Sequence, residues 1–143
     1  HLCGLPKAHS TEFDAQTPDP VICMLEEQRT IEDKGGTMRL GLYPCSLQRG
    51  SKAHDAYGSI EVAERHRHRY EFNDRYRERF REKGVLFSGL SPDGKLVEIL
   101  ELKDHPFYVG TQFHPEYRSR PTAAHPLFRA FVAAALRPQE GQR

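Results

Sequence analysis

A histidine and a carboxylate flank a proline in Gln112-Phe-His114-Pro-Glu116, directly after the apolar residues Tyr108, Val109 and Phe113. In extended chain, residues two apart project to the same side, and Pro115 restricts the backbone between them. A carboxylate beside an imidazole fixes its tautomer and stabilises the imidazolium form, which is the third role in a nucleophile, base and orienter set. Strand ends are also where α/β proteins present active-site groups. The same residues suit an ordinary surface turn, so the tripeptide by itself leaves both readings open.

Such a pair needs a nucleophile, and the chain holds three cysteines, Cys3, Cys23 and Cys45. Cys23 falls inside an apolar run and Cys45 follows Pro44 near the end of another; neither sits on a strand-to-helix elbow. Cys3 precedes Gly4 in what reads as a helix end, where the dipole is negative and raises a thiol pKa. None of the three is expected to act as the nucleophile. Their odd number and wide spacing carry no zinc or disulfide pattern, so reduced, structural thiols are expected.

The segment Glu64-Arg-His-Arg-His-Arg-Tyr-Glu71 alternates cations with imidazoles. Extended, it puts Arg65, Arg67 and Arg69 on one face and His66, His68 and Tyr70 on the other. A solvated basic strand, a metal held by alternate histidines, RNA contact through arginine and aromatic side chains, and an arginine fork gripping a small carboxylate all fit this pattern. In Asp33-Lys-Gly-Gly-Thr37-Met-Arg39-Leu-Gly41, paired glycines permit close backbone approach while Thr37 and Arg39 project donors, but the spacing is not that of a Walker loop. His9-Ser-Thr-Glu12-Phe13 is a short polar segment that demands no ligand on physical grounds.

The elements that must position these groups follow from periodicity. Val21 to Leu25 is a short apolar run suited to a buried strand, and Met38, Leu40 and Leu42 alternate with Arg39 and Gly41 as a second strand. Gln48 to Asp55 reads as a polar loop. Asn73 or Asp74 caps a short amphipathic helix ending at Lys83-Gly84. Val85 to Leu90 and Lys95 to Leu102 flank Ser91-Pro-Asp-Gly94 and form a hairpin. Phe107 to Phe113 is a further strand. Pro126 opens a last helix with Leu127, Phe131 and Ala135 beside Phe128, Val132 and Leu136, and Pro138 ends it. The expected organisation is one α/β unit over residues 1–137 with a polar tail at 138–143.

Composition bounds the rest. Lys plus Arg number 21 and Asp plus Glu number 20 in 143 residues, a formal net charge of +1 that excludes binding of nucleic acid by bulk charge. The longest apolar run, Ala130 to Leu136, is far below the roughly 20 residues of a membrane helix. A soluble, cytoplasmic protein with no membrane or nucleic-acid partner is expected. The first residue is His1, with no initiating Met, so the chain is expected to begin inside a larger protein.

Taken together and in order, these segments resemble the glutamine amidotransferase domain of the CTP synthase family. The residues that carry the resemblance are Ser10-Thr-Glu-Phe13, Gly35-Gly-Thr-Met-Arg-Leu-Gly41, Glu64 to Glu71, Phe113-His-Pro-Glu116, Ser119-Arg-Pro121 and His125-Pro-Leu-Phe128. The match runs to about Leu136. The glycine-threonine and arginine-histidine motifs are specific to this family, whereas His-Pro-Glu is shared by the whole class I of amidotransferases.

The resemblance implies a doubly wound, flavodoxin-like α/β fold, here its C-terminal portion, and a cysteine, histidine, glutamate triad that hydrolyses L-glutamine to glutamate and ammonia. It makes His114 the acid/base and Glu116 its orienter. Glu12 is expected to meet the α-ammonium of glutamine and Arg69 its α-carboxylate, with Tyr70 packing beside them. Thr37 and Arg39 fall in the segment the family associates with the activator GTP. Ammonia is implied to pass to an amidoligase domain that uses ATP and magnesium to convert UTP to CTP, in a homo-oligomer, a tetramer by the resemblance. The family's nucleophile elbow, Gly-x-Cys-Leu-Gly-Met-Gln, does not occur in this sequence, and neither does the amidoligase domain. The chain is therefore expected to be inactive alone, with no metal or cofactor of its own. The alternative is an amidotransferase-like binding or regulatory module that lacks catalysis.

Overall fold

The computed structural model describes residues 2–24 and 38–137. Two sheets carry the chain. The smaller has the order β1 (Ala8–Ser10), β2 (Asp19–Cys23), β5 (Glu71–Phe72), with β1 and β2 parallel and β5 antiparallel to β2. The larger is antiparallel throughout and ordered β4 (Glu61–His68), β3 (Arg39–Leu47), β6 (Val85–Leu90), β7 (Val97–Leu102), β8 (Val109–Thr111). The helices are α1 (Lys52–Tyr57), α2 (Arg77–Arg81) and α3 (Pro126–Ala135), and Asp74–Tyr76 and Pro115–Arg118 are single 3-10 turns. Among the described residues, β1 with β2 is the one parallel pair, so this portion supplies mainly antiparallel sheet rather than the doubly wound parallel core.

Several elements form where the local chemistry places them. Asn73 caps the 3-10 turn that leads into α2, its side chain accepting from the Arg75 amide. The β6–β7 hairpin turns at Ser91 to Gly94, where Gly94 has φ +75° and donates to the Ser91 carbonyl at 2.7 Å. Only glycine takes that conformation at no steric cost.

Four expectations are corrected. Residues 48–55 are not wholly loop: Ser51 accepts from the His54 amide and starts α1, and the buried Glu101 carboxylate takes the Lys52 and Ala53 amides at 2.9 and 2.8 Å. An anion at those orphan amides satisfies the first turn, a partner that local sequence does not reveal. No helix precedes β1 in the described residues; residues 2–4 and 6–7 form turns that tuck Cys3 and Leu5 into the core. On β3 the alternation runs opposite to its hydropathy: Leu40 and Leu42 are 65 % and 58 % exposed, while Arg39 turns inward. In α3 only Leu127 is buried, and Phe128, Phe131, Val132 and Leu136 are exposed. The expected tail at 138–143 and the residues before Met38, Thr37 included, lie outside the described residues.

The core has two parts. Cys3, Leu5, Phe72, Val85, Phe87 and Val97 form one, with Phe80 edge-on to Phe72 at 5.2 Å. Cys45, Leu47, Ala53, Ile99, Phe113 and Leu127 form the other. Phe113 is the residue before His114, so the second core anchors the exit of β8.

Candidate active site

β8 ends at Thr111, and the chain leaves the sheet through Gln112 and Phe113. The Gln112 amide donates to the Glu98 carbonyl at 2.9 Å, and the His114 amide donates to the Arg65 carbonyl at 2.9 Å. Pro115 then opens the 3-10 turn, which folds Glu116 back on the imidazole. His114 Nδ1 lies 2.7 Å from Glu116 Oε1. Because an ionised carboxylate only accepts, Nδ1 carries the proton and Nε2 is left as the basic nitrogen. The bond from His114 holds the Glu116 carboxyl below the usual range. Tyr117 stacks on the His114 ring at 4.6 Å and 12°. Both members of the pair reach solvent, with side chains 35 % and 56 % exposed.

Behind the pair lies a buried polar network. His66 packs its ring against Phe113 at 5.8 Å and shares a 2.8 Å hydrogen bond, Nδ1 to Nε2, with His68. His68 Nδ1 is 3.1 Å from the Tyr70 carbonyl, so it donates there and accepts from His66. Burial, then the nearby cations, pushes the His66 imidazole down to about 3 and lowers that of His68. Burial likewise raises Glu71 and Glu98 against the pull of Arg39. Arg39 Nη2 donates to Glu98 at 2.8 Å, Nη1 donates to Glu71 at 3.2 Å, and the guanidinium lies 4.6 Å over the Tyr43 ring. Arg39, expected to project its donors toward a ligand, thus points into the protein.

The segments that hold the glutamine-site candidates lie toward one end of the small sheet. Ser10 pairs with Ile22, which pairs with Phe72, and Cys23 pairs with Glu71. The turn holding Glu12 after β1 and the Arg69–Tyr70 bend before β5 therefore leave the same end. Glu12 is exposed, with its amide on Ser10 Oγ, and Arg69 and Tyr70 are half-buried. The Tyr70 carbonyl accepts Gln112 Nε2 at 2.8 Å, which ties this end to the exit of β8. Arg65 and Arg67 are exposed on β4 and, with Met38, Leu40, His66 and Tyr117, line a cavity of about 500 Å³.

Cys3 and Cys45 belong to the two cores. Cys45 is buried in the second core, and burial followed by the Glu98 and Glu64 charges pushes its thiol up to about 12. Cys3 is buried and Cys23 lies on β2. No group of three His, Cys, Asp or Glu side chains among the described residues is arranged to hold a metal ion.

Two parts of the site have weak sequence signals. Gln112 reads as an ordinary polar strand residue. Glu64 is buried, and its Oε1 accepts from Tyr57 Oη at 2.9 Å and lies 3.0 Å from His125 Nε2 and 3.8 Å from Arg118 Nη1. Arg118 also donates to the Ala63 carbonyl. Glu98 and Glu101 inside the apolar run of β7 are the one signal that could have pointed inward, because a charge in a strand buried on both faces needs a partner.

This chain belongs to the glutamine amidotransferase class-I family, which it matches over residues 9–134. Within that class its relatives are CTP synthases. It is 61 % identical to the CTP synthase of Moorella thermoacetica over 137 residues, covering 96 % of this chain and 26 % of that protein. The CTP synthase of Geobacillus kaustophilus is likewise 61 % identical, with the same coverage of 96 % and 26 %. The chain thus spans about a quarter of the length of these relatives. Among solved structures, the glutaminase domain of Trypanosoma brucei CTPS with bound acivicin superposes with a TM-score of 0.83 at 33 % identity, over 93 % of this chain and 52 % of that one. The fold is the mixed α/β fold of that domain, of which this chain spans 52 %. No helix of the described residues is long and apolar enough to cross a membrane.

Proposed function

We propose that this chain supplies the histidine and glutamate half of a glutaminase site that feeds ammonia to CTP synthesis. The observation that carries the reading is the 2.7 Å bond between His114 Nδ1 and Glu116 Oε1 at the mouth of β8. In this scheme His114 Nε2 accepts the proton of a cysteine thiol as its sulfur bonds to the amide carbon of glutamine. The carbon–nitrogen bond then breaks, and His114 returns the proton to the leaving ammonia. Water, deprotonated by the same imidazole, hydrolyses the thioester to glutamate and frees the thiol. Glu116 stabilises the imidazolium at each transfer.

Arg69 grips the α-carboxylate of glutamine, Glu12 meets its α-ammonium, and Tyr70 packs beside them, since charge-matched ends hold the amide in register for attack. The thiol comes from the elbow segment of the parent protein, because the Cys45 thiol of this chain is buried and held protonated. Magnesium and ATP act in the amidoligase segment, where UTP is aminated to CTP. GTP activates through the segment of Thr37, with Arg39 contributing by bracing β3. The parent works in the cytoplasm as a homo-tetramer, and the chain alone is inactive.

In the intact protein, His114→Ala is expected to lower glutamine-dependent CTP formation by about 100-fold or more. Ammonia-dependent formation survives, because free ammonia bypasses the site. Equal loss of both activities would overturn the assignment.

A further inference from the structure

The exit of β8 is stitched to β4 and to the bend that follows it, at one point each. One is backbone, from the His114 amide to the Arg65 carbonyl at 2.9 Å. The other is a side chain: Gln112 Nε2 donates to the Tyr70 carbonyl at 2.8 Å and to Glu71 Oε2 at 3.2 Å, which uses both of its protons. We infer that Gln112 is a positioning residue that fixes the register between the His114 imidazole and the Arg69–Tyr70 bend, and so matches the site to the length of glutamine.

The geometry around Gln112 is closed on itself. Its backbone amide donates to the Glu98 carbonyl, the Glu98 carboxylate is gripped by Arg39, Arg39 also holds Glu71, and Glu71 accepts from the Gln112 side chain. The Tyr70 carbonyl is doubly occupied, by Gln112 Nε2 and by His68 Nδ1 at 3.1 Å. Both of its lone pairs are thereby used, so the peptide plane after Tyr70 has one orientation. Arg69 is one residue before that carbonyl, and His114 is two residues beyond Gln112. A glutamine held by its α-carboxylate presents its amide carbon at a set distance. A displacement of about 1 Å between clamp and base costs on the order of 100-fold in rate.

The inference rests on Arg69 acting as the carboxylate clamp, and the test separates the two claims. In the intact protein, Gln112→Leu keeps volume and removes both donors. Glutamine-dependent kcat/KM is expected to fall about 10- to 100-fold, with ammonia-dependent turnover unchanged. Placed on Arg69→Ala, the same change is expected to add no further loss, because the clamp it positions is gone. A full additional loss there overturns the positioning role. Arg69→Ala alone leaving the glutamine dependence unchanged overturns the clamp instead.

Gln112→Glu guards against a variant that simply misfolds. Its introduced carboxyl faces Glu71 and the Tyr70 carbonyl as an acceptor when ionised and as a donor when protonated. Its glutaminase rate relative to the unaltered protein should rise as pH is lowered; a ratio that stays flat overturns the inference.

Discussion

Glu116 Oε1 sits 2.7 Å from Nδ1 of His114, which leaves Nε2 as the basic ring nitrogen. The bond is local, since Pro115 opens a 3-10 turn that returns the carboxylate to the ring two residues back. Tyr117 closes the other side of the imidazole by stacking on it. The orientation of the imidazole relative to its carboxylate is therefore built into four consecutive residues.

Replacing Glu116 with Gln keeps the shape of that turn and removes the charge. Glutamine-dependent turnover in the intact protein should fall by about 100-fold or more, because the imidazolium formed at each proton transfer loses its counter-charge. Ammonia-dependent turnover should be unchanged. Steady-state rates with the two nitrogen sources check this, and a glutamine rate within about twofold of the unaltered protein would remove Glu116 from the mechanism.

His66 makes stability depend on pH with a definite sign. Burial lowers its folded value from 6.5 to about 3, so between those limits the unfolded chain binds a proton that the folded one does not. Its contribution is fully present above 6.5 and drains away as pH falls toward about 3, with a slope of at most about 1.4 kcal/mol per pH unit. His68 shares that sign, while the raised carboxyls of Glu71 and Glu98 oppose it, because they take up protons more readily when folded. Thermal midpoints measured across that window should drop on acidification, and His66→Phe should flatten the drop. An unchanged slope in the variant would show that the imidazole is not held neutral.

Gly89 is confined by its neighbours rather than by its backbone. A Cβ there would lie 2.7 Å from Ile99 Cγ1 and 2.9 Å from Cys45 Sγ, both inside the second core. Gly89→Ala should cost about 1–3 kcal/mol through overpacking. Denaturant midpoints measure this, and a change below about 0.5 kcal/mol would mean that β6 and β7 pack less tightly than described.

The β6–β7 hairpin is legible from sequence because turn chemistry decides it within a few residues. So is the nearness of His114 and Glu116, although a 3-10 turn at Pro115 and not extended chain brings them together. The alternation of Glu64 to His68 put histidines and arginines on opposite faces, and the structure buries the His66 face while Arg65 and Arg67 stay exposed. What could not be read are elements decided by partners far along the chain. β3 turns Arg39 inward because Glu71 and Glu98 wait there, 32 and 59 residues away, which overrides the hydropathy of Leu40 and Leu42. α1 starts in a polar stretch because Glu101 reaches its amides. Gln112 escaped notice for the same reason: its acceptors lie more than 40 residues upstream.

The two cores share a wall. Val97 serves one and Ile99 the other, two residues apart on β7, and β6 pairs with that strand while adding Val85 and Phe87 to the first core. Loss of either core takes away part of the other's wall, which couples the two cores through β7. Local opening on the route to unfolding is then pushed to the margins, the turns around Glu12 and the outer turns of α3. The mouth of β8 is rooted in Phe113, so a shift of the backbone that carries the imidazole also draws on the second core.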